Sequence, residues 1–140
     1  MLLSMVEGQR FTFKKEERIT GNKRISTLFA RGGSFLVYPF KVVFCEYECT
    51  ASEPVSILIS IPKKRLKRAT ARNRMKRLVR EAYRVNKELI PSHLLLDNHR
   101  IDIAFVYVKD ELSDYDKVEK SVCKSLREIS NKLKDVRAKC

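Results

Sequence analysis

Ile25, Leu28 and Phe29 stand at i, i+3 and i+4 within residues 22–31, which is helical spacing. Asn22 suits the N-cap of that helix and Gly32-Gly33 its stop. Ahead of it, Phe11 and Phe13 alternate with Thr12 and Lys14 in an extended lead-in over residues 1–15. Residues 35–47 are β-branched and aromatic and predict a strand, broken or started late at Pro39. Residues 55–61 (VSILISI) predict a second, buried strand, closed by Pro62. A helix is expected over residues 70–89, ended by Pro91, and residues 101–108 (IDIAFVYV) predict a third strand. Ser113 and Asp116 have capping-box spacing. The helix they introduce runs to about Val136, with Tyr115, Val118, Val122, Leu126, Ile129, Leu133 and Val136 at gaps of three and four.

The order is therefore αββαβα. Strand 55–61, its following helix and strand 101–108 form a βαβ unit, so the two strands should run parallel. The 140 residues predict one domain over 1–140, with residues 1–9 and 137–140 expected to be flexible. No apolar run reaches the ~20 residues of a membrane span, and the N-terminus lacks a basic leader, which together predict a cytoplasmic protein.

Charge changes the picture. Thirty Lys and Arg against seventeen Asp and Glu leave +13, so the partner should be a polyanion. Residues 62–84 hold eleven of those cations and one acid, Glu81, whereas the rest of the chain is only +3. At 100° per residue, Ala71, Met75, Leu78, Ala82 and Leu89 fall on one stripe of the 70–89 helix, with Val79 and Val85 at its edges. Arg72, Lys76, Arg80 and Arg84 follow one another at i+4 on another face, shared with Asn73 and Arg77. Such a ladder costs a few tenths of a kcal/mol per like-charged pair, of which an Arg77–Glu81 pair would return part. It predicts a binding surface. Guanidinium groups make planar bidentate contacts to phosphate, and Asn73 suits a base edge or a 2′-hydroxyl.

Other readings fit less well. The segment Pro62–Arg68 (PKKRLKR) is like a nuclear-import signal but abuts a buried strand. A membrane-surface helix would need the apolar stripe that the sheet already takes. A basic-zipper arm would continue into heptads, and Pro91 stops it.

Arg72-Asn73-x-x-Lys76-Arg77-x-x-Arg80-Glu81, preceded by Lys63-Lys64 at a strand end, resembles the signature of the protein subunit of bacterial ribonuclease P. The resemblance covers roughly residues 10–135 in element order and length. It implies an α+β fold, an α/β sandwich like that of a ribosomal protein, with a left-handed βαβ crossover. Handedness is expected on resemblance alone, because about 98% of crossovers are right-handed. It implies a protein that binds a large catalytic RNA and the 5′ leader of precursor tRNA, promoting leader removal. The RNA would carry the Mg²⁺-dependent chemistry, with no catalytic residue or metal ligand in the protein. Its partners would be the catalytic RNA and precursor tRNA, with neither membrane nor DNA. Carried over by position, Lys63, Lys64, Lys67, Arg68, Arg72, Asn73, Arg74, Lys76, Arg77, Arg80 and Arg84 would bind RNA. Phe29, Ile25, Phe40 and Phe44 would line a leader cleft between the sheet and the first helix, where stacking tolerates any base. The alternative is a non-catalytic module such as a ribosomal or RNA-chaperone protein.

A protein-only nuclease would need convergent carboxylates around metal ions. The available cluster is Asp97, Asp102, Asp110, Glu111, Asp114 and Asp116, and residues 110–116 are better explained as a helix start. Cys45, Cys49, Cys123 and Cys140 lack zinc spacing, and His93 and His99 flank a loop.

Overall fold

The computed structural model describes residues 18–19, 21–48, 55–90 and 99–139. Phe11, Phe13, Cys49, His93, Asp97 and Cys140 lie outside them, as do both expected end segments apart from residues 137–139. Helix α1 is Asn22–Arg31. Its cap is Gly21 rather than Asn22: Gly21 has φ of 94°, a conformation that favours glycine, and its carbonyl accepts from Ile25 N at 3.1 Å. Gly32 ends the helix for a different reason. A Cβ there would sit 2.5 Å from Leu28 O and 2.8 Å from Phe44 O, so the backbone approach leaves no room for a side chain.

The apolar run over 35–47 folds as a hairpin and not as one strand. Strand β1 (Gly33–Val37) and strand β2 (Phe40–Glu48) pair antiparallel, Val37 opposite Phe40, around Tyr38-Pro39. Pro39 has no N–H for a ladder, which breaks the run there. Strand β3 (Val55–Ser60) leads through a turn into helix α2 (Ala69–Asn86) and one 3₁₀ turn (Lys87–Leu89). Strand β4 (His99–Tyr107) and helix α3 (Tyr115–Lys139) complete the chain. The sheet order is β1-β2-β4-β3, and β3 and β4 are parallel as the βαβ reading requires.

Strand parity distributes the side chains. Phe40 and Val42 of β2, Ile57 of β3 and Ile101, Ile103, Phe105 and Tyr107 of β4 face α2 and α3. The helices bring Met75, Val79, Ala82 and Tyr83, and Val118, Val122, Leu126, Ile129 and Leu133. The α2 stripe is thus rotated from expectation: Val79 and Tyr83 are central, while Leu78 and Ala71 are half-buried at its margin. On the other face Val43, Cys45, Ala104 and Leu58 meet Ile19, Ile25 and Leu28 under α1. The layers are α1, sheet, then α2 with α3.

Two polar devices hold this frame. Asp102 is fully buried on the α1 face, its carboxylate accepting from Arg24 Nε at 2.8 Å and Nη2 at 2.7 Å, and from Arg100 Nη2 at 3.2 Å. The α3 start is capped by Asp114, whose Oδ1 accepts from Lys117 N at 3.0 Å. The expected cap, Ser113, is instead buried with its Oγ 2.9 Å from Tyr107 Oη, which also donates to Glu111 O.

Candidate nucleic-acid interface

The junction after β3 projects cations because one apolar residue pins it. Pro62 O accepts from Arg65 N and Leu66 N, and Leu66 is buried in the helix-side core. Lys63, Lys64, Lys67 and Arg68 stay exposed around that anchor. Arg65 reaches Asp110 at 3.1 Å across an exposed gap.

On α2 the four cations expected to form one ladder do different things. Arg72 Nη1 donates to Leu66 O at 2.9 Å and Lys67 O at 2.8 Å, so this half-buried guanidinium braces the junction. Arg84 grips Glu81 through Nε–Oε1 at 3.1 Å and Nη2–Oε2 at 2.5 Å. The acid therefore pairs at i+3 with Arg84 and not with Arg77. That hydrogen bond holds the Glu81 carboxyl below its ordinary value and raises Arg84, each partly offset by desolvation. Asn73, Arg74 and Arg77 face solvent.

Lys76 and Arg80 turn towards the outer edge of β3. There Arg18 bridges Ile57 in parallel and Ile19 N donates to Ile57 O at 3.0 Å. Arg18, Lys76 and Arg80 line a cavity of about 170 Å³ floored by Ile19, Ile57, Leu58 and Ile59. Burial, then the nearby Arg18 and Arg77 charges, lower the proton affinity of Arg80. Three cations converging on an open cavity suit a phosphate. Sequence reading missed Arg18, since nothing local shows that its segment lies along β3.

The expected leader cleft is rearranged. Phe29 is 45% exposed on α1, and Ile25 is half-buried beneath that helix. Phe40 and Phe44 are not on this surface. Phe40 is fully buried, edge-on to Phe105 at 5.9 Å and Tyr107 at 5.6 Å, and Phe44 meets Phe35 at 5.9 Å on the same helix-side face. Parity puts the alternate residues on the α1 side. Leu36, Lys41, Val106 and Ser60 pair successively across all four strands. Leu36 and Lys41 are exposed in this row, and Val106 and Ser60 half-buried.

The carboxylates are dispersed into structural work: Asp102 in its arginine clamp, Asp110 on Arg65, Asp114 at a helix cap. Among the described residues no group of three or more His, Cys, Asp or Glu side chains is placed to hold a metal ion.

Comparison with known proteins agrees with the motif. The family model described as Ribonuclease P matches residues 13–134. The ribonuclease P protein component of Porphyromonas gingivalis is 42% identical over 132 residues, covering 92% of this chain and 94% of that protein. That of Chlorobaculum tepidum is 36% identical over 95 residues, covering 62% and 61%. Among solved structures, the RNase P protein from Thermotoga maritima superposes with a TM-score of 0.62 at 26% identity, covering 80% of this chain and 96% of that one. These matches disfavour a ribosomal or RNA-chaperone module. The chain belongs to the ribonuclease P protein family, as a protein subunit of the ribonucleoprotein that processes the 5′ end of tRNA.

Proposed function

We propose that the β3–α2 junction and the outward cations of α2 dock the catalytic RNA. The carrying observation is the acid-poor surface of Lys63, Lys64, Lys67, Arg68, Asn73, Arg74 and Arg77, continuous with the Arg18–Lys76–Arg80 cavity. Glu81, the acid within this helix, is occupied by Arg84. Arg72 acts mainly by shaping the junction. The RNA carries the metal-dependent hydrolysis, with Mg²⁺ held by RNA groups.

The precursor-tRNA leader lies on the opposite side of the sheet, along Leu36, Lys41, Val106 and Ser60, with Phe29 and Ile25 at the α1 border. Lys41 supplies a phosphate contact there, and the apolar groups pack under bases of any identity. The reaction takes place in the cytoplasm.

Reconstitution tests this reading. Protein mixed with its RNA cleaves precursor tRNA at low Mg²⁺, and the protein alone does not. Cleavage by protein free of RNA would overturn the mechanism.

A further inference from the structure

Helix α3 carries a second basic stripe that the motif does not include. Residues 115–134 hold six cations and three acids, an excess equal to the whole +3 left outside residues 62–84. Lys117, Lys120, Lys124, Arg127, Asn131 and Lys134 recur at gaps of three and four, and all are exposed. Their line runs opposite the buried stripe of Val118, Val122, Leu126, Ile129 and Leu133, and extends about 25 Å at 1.5 Å per residue.

Among residues 115–134 the acids are few and each has its own place. Glu119 accepts from Asn86 Nδ2 at 3.1 Å, on the side facing α2. Glu128 lies 3.8 Å from Lys132, whose ammonium in turn sits 5.8 Å from the Phe35 ring centre, on the side facing β1. Asp116 stands in the first turn, where the helix dipole favours it, four residues before Lys120 at the N-terminal end of the line. The successive pairs Lys117–Lys120, Lys120–Lys124 and Lys124–Arg127 repel, each by a few tenths of a kcal/mol. A polyanion would offset that cost.

We infer that this crest of α3 is a second docking surface for the phosphate backbone of the RNA subunit. The inference rests on the family's ribonucleoprotein role and on α2 as the first contact. The RNA subunit is favoured over the leader because α3 lies in the same layer as α2, whereas the proposed leader row lies across the sheet under the α1 side. Two basic lines on packed neighbouring helices, with axes roughly 8–10 Å apart, let one folded RNA meet both.

The test uses full-length protein carrying Lys120→Gln, Lys124→Gln and Arg127→Gln, titrated with the RNA subunit over a range of salt. Loss of three phosphate contacts lowers the steepness of log K against log salt by about 2 to 3. Arg77→Gln on α2 is the parallel control and lowers it by about 1. An unchanged slope in the triple variant, with the control lowered, overturns the α3 surface and leaves the α2 reading intact. Unchanged slopes in both overturn the two together. An equal weakening towards precursor tRNA alone marks general electrostatics and overturns the assignment to the RNA subunit.

Discussion

Asp102→Asn removes one negative charge from the α1 face of the sheet while keeping the side-chain volume. In the native protein that carboxylate is fully buried and accepts two guanidinium bonds from Arg24, at 2.7 and 2.8 Å, and one from Arg100 at 3.2 Å. Arg24 and Arg100 retain 27% and 14% of their side-chain exposure, so water compensates them in part. Breaking a buried ion pair by removing one partner costs about 3–5 kcal/mol, and the partial exposure of the arginines puts the expected loss near the lower end, ~3 kcal/mol. Against a typical stability of about 5–15 kcal/mol, the variant stays folded and measurable. Equilibrium urea unfolding should show a lower midpoint at unchanged slope. Hydrogen exchange should show lost protection concentrated in α1, because Ile25 and Leu28 are its main apolar holds on the sheet. A double-mutant cycle with Arg24→Met isolates the coupling. A loss below ~1 kcal/mol, or a coupling near zero, would refute the clamp.

Phe40→Ala should cost about 3–5 kcal/mol by unfolding, since it empties a fully buried site. Phe29→Ala should cost under ~1 kcal/mol and lower affinity only for substrates that carry a leader; equal effects on both substrates would remove Phe29 from the border. Arg72→Ala should lower stability by about 1 kcal/mol through the loss of its two bonds to junction carbonyls, one of them at the surface, while Arg77→Ala changes stability within ~0.5 kcal/mol and flattens the salt slope. Glu81 has a depressed folded pKa, so its small stabilising contribution is present above the unfolded carboxylate value and lost as pH falls through the folded one. Glu81→Gln should therefore flatten the acid limb of a stability–pH curve slightly. Burial, with Glu119 adding, pushes the Cys123 thiol up, so alkylation near neutral pH should be slower than for a free thiol and accelerate only in alkaline buffer.

What was legible in the sequence follows the range of the interactions responsible. The helices, the parallel βαβ pair and the basic junction stand where local patterns put them, although the buried stripe of α2 is rotated towards Val79 and Tyr83. The hairpin within residues 35–47 was hidden because its turn carries a single breaker, Pro39, between two apolar runs of the same composition. Missing that turn leaves the strand pairing unknown, and pairing decides which face each aromatic takes. Phe40 then reads as well for a cleft as for a core. Once Val37 stands opposite Phe40 and Phe40 opposite Tyr107, parity sends Phe40 and Phe44 to the helices and Lys41 to the open face. The α2 cations pose the same problem in another geometry. Helical phase puts Arg72, Lys76, Arg80 and Arg84 in one line, but a line has no partners until the chain on either side is placed. The junction carbonyls take Arg72, Glu81 takes Arg84, and Lys76 and Arg80 turn to the β3 edge, where with Arg18 they line an open cavity. The exposed basic and amide side chains of the helix are therefore Asn73, Arg74 and Arg77, one or two steps around from the expected line, and the proposed RNA surface joins them to the cavity.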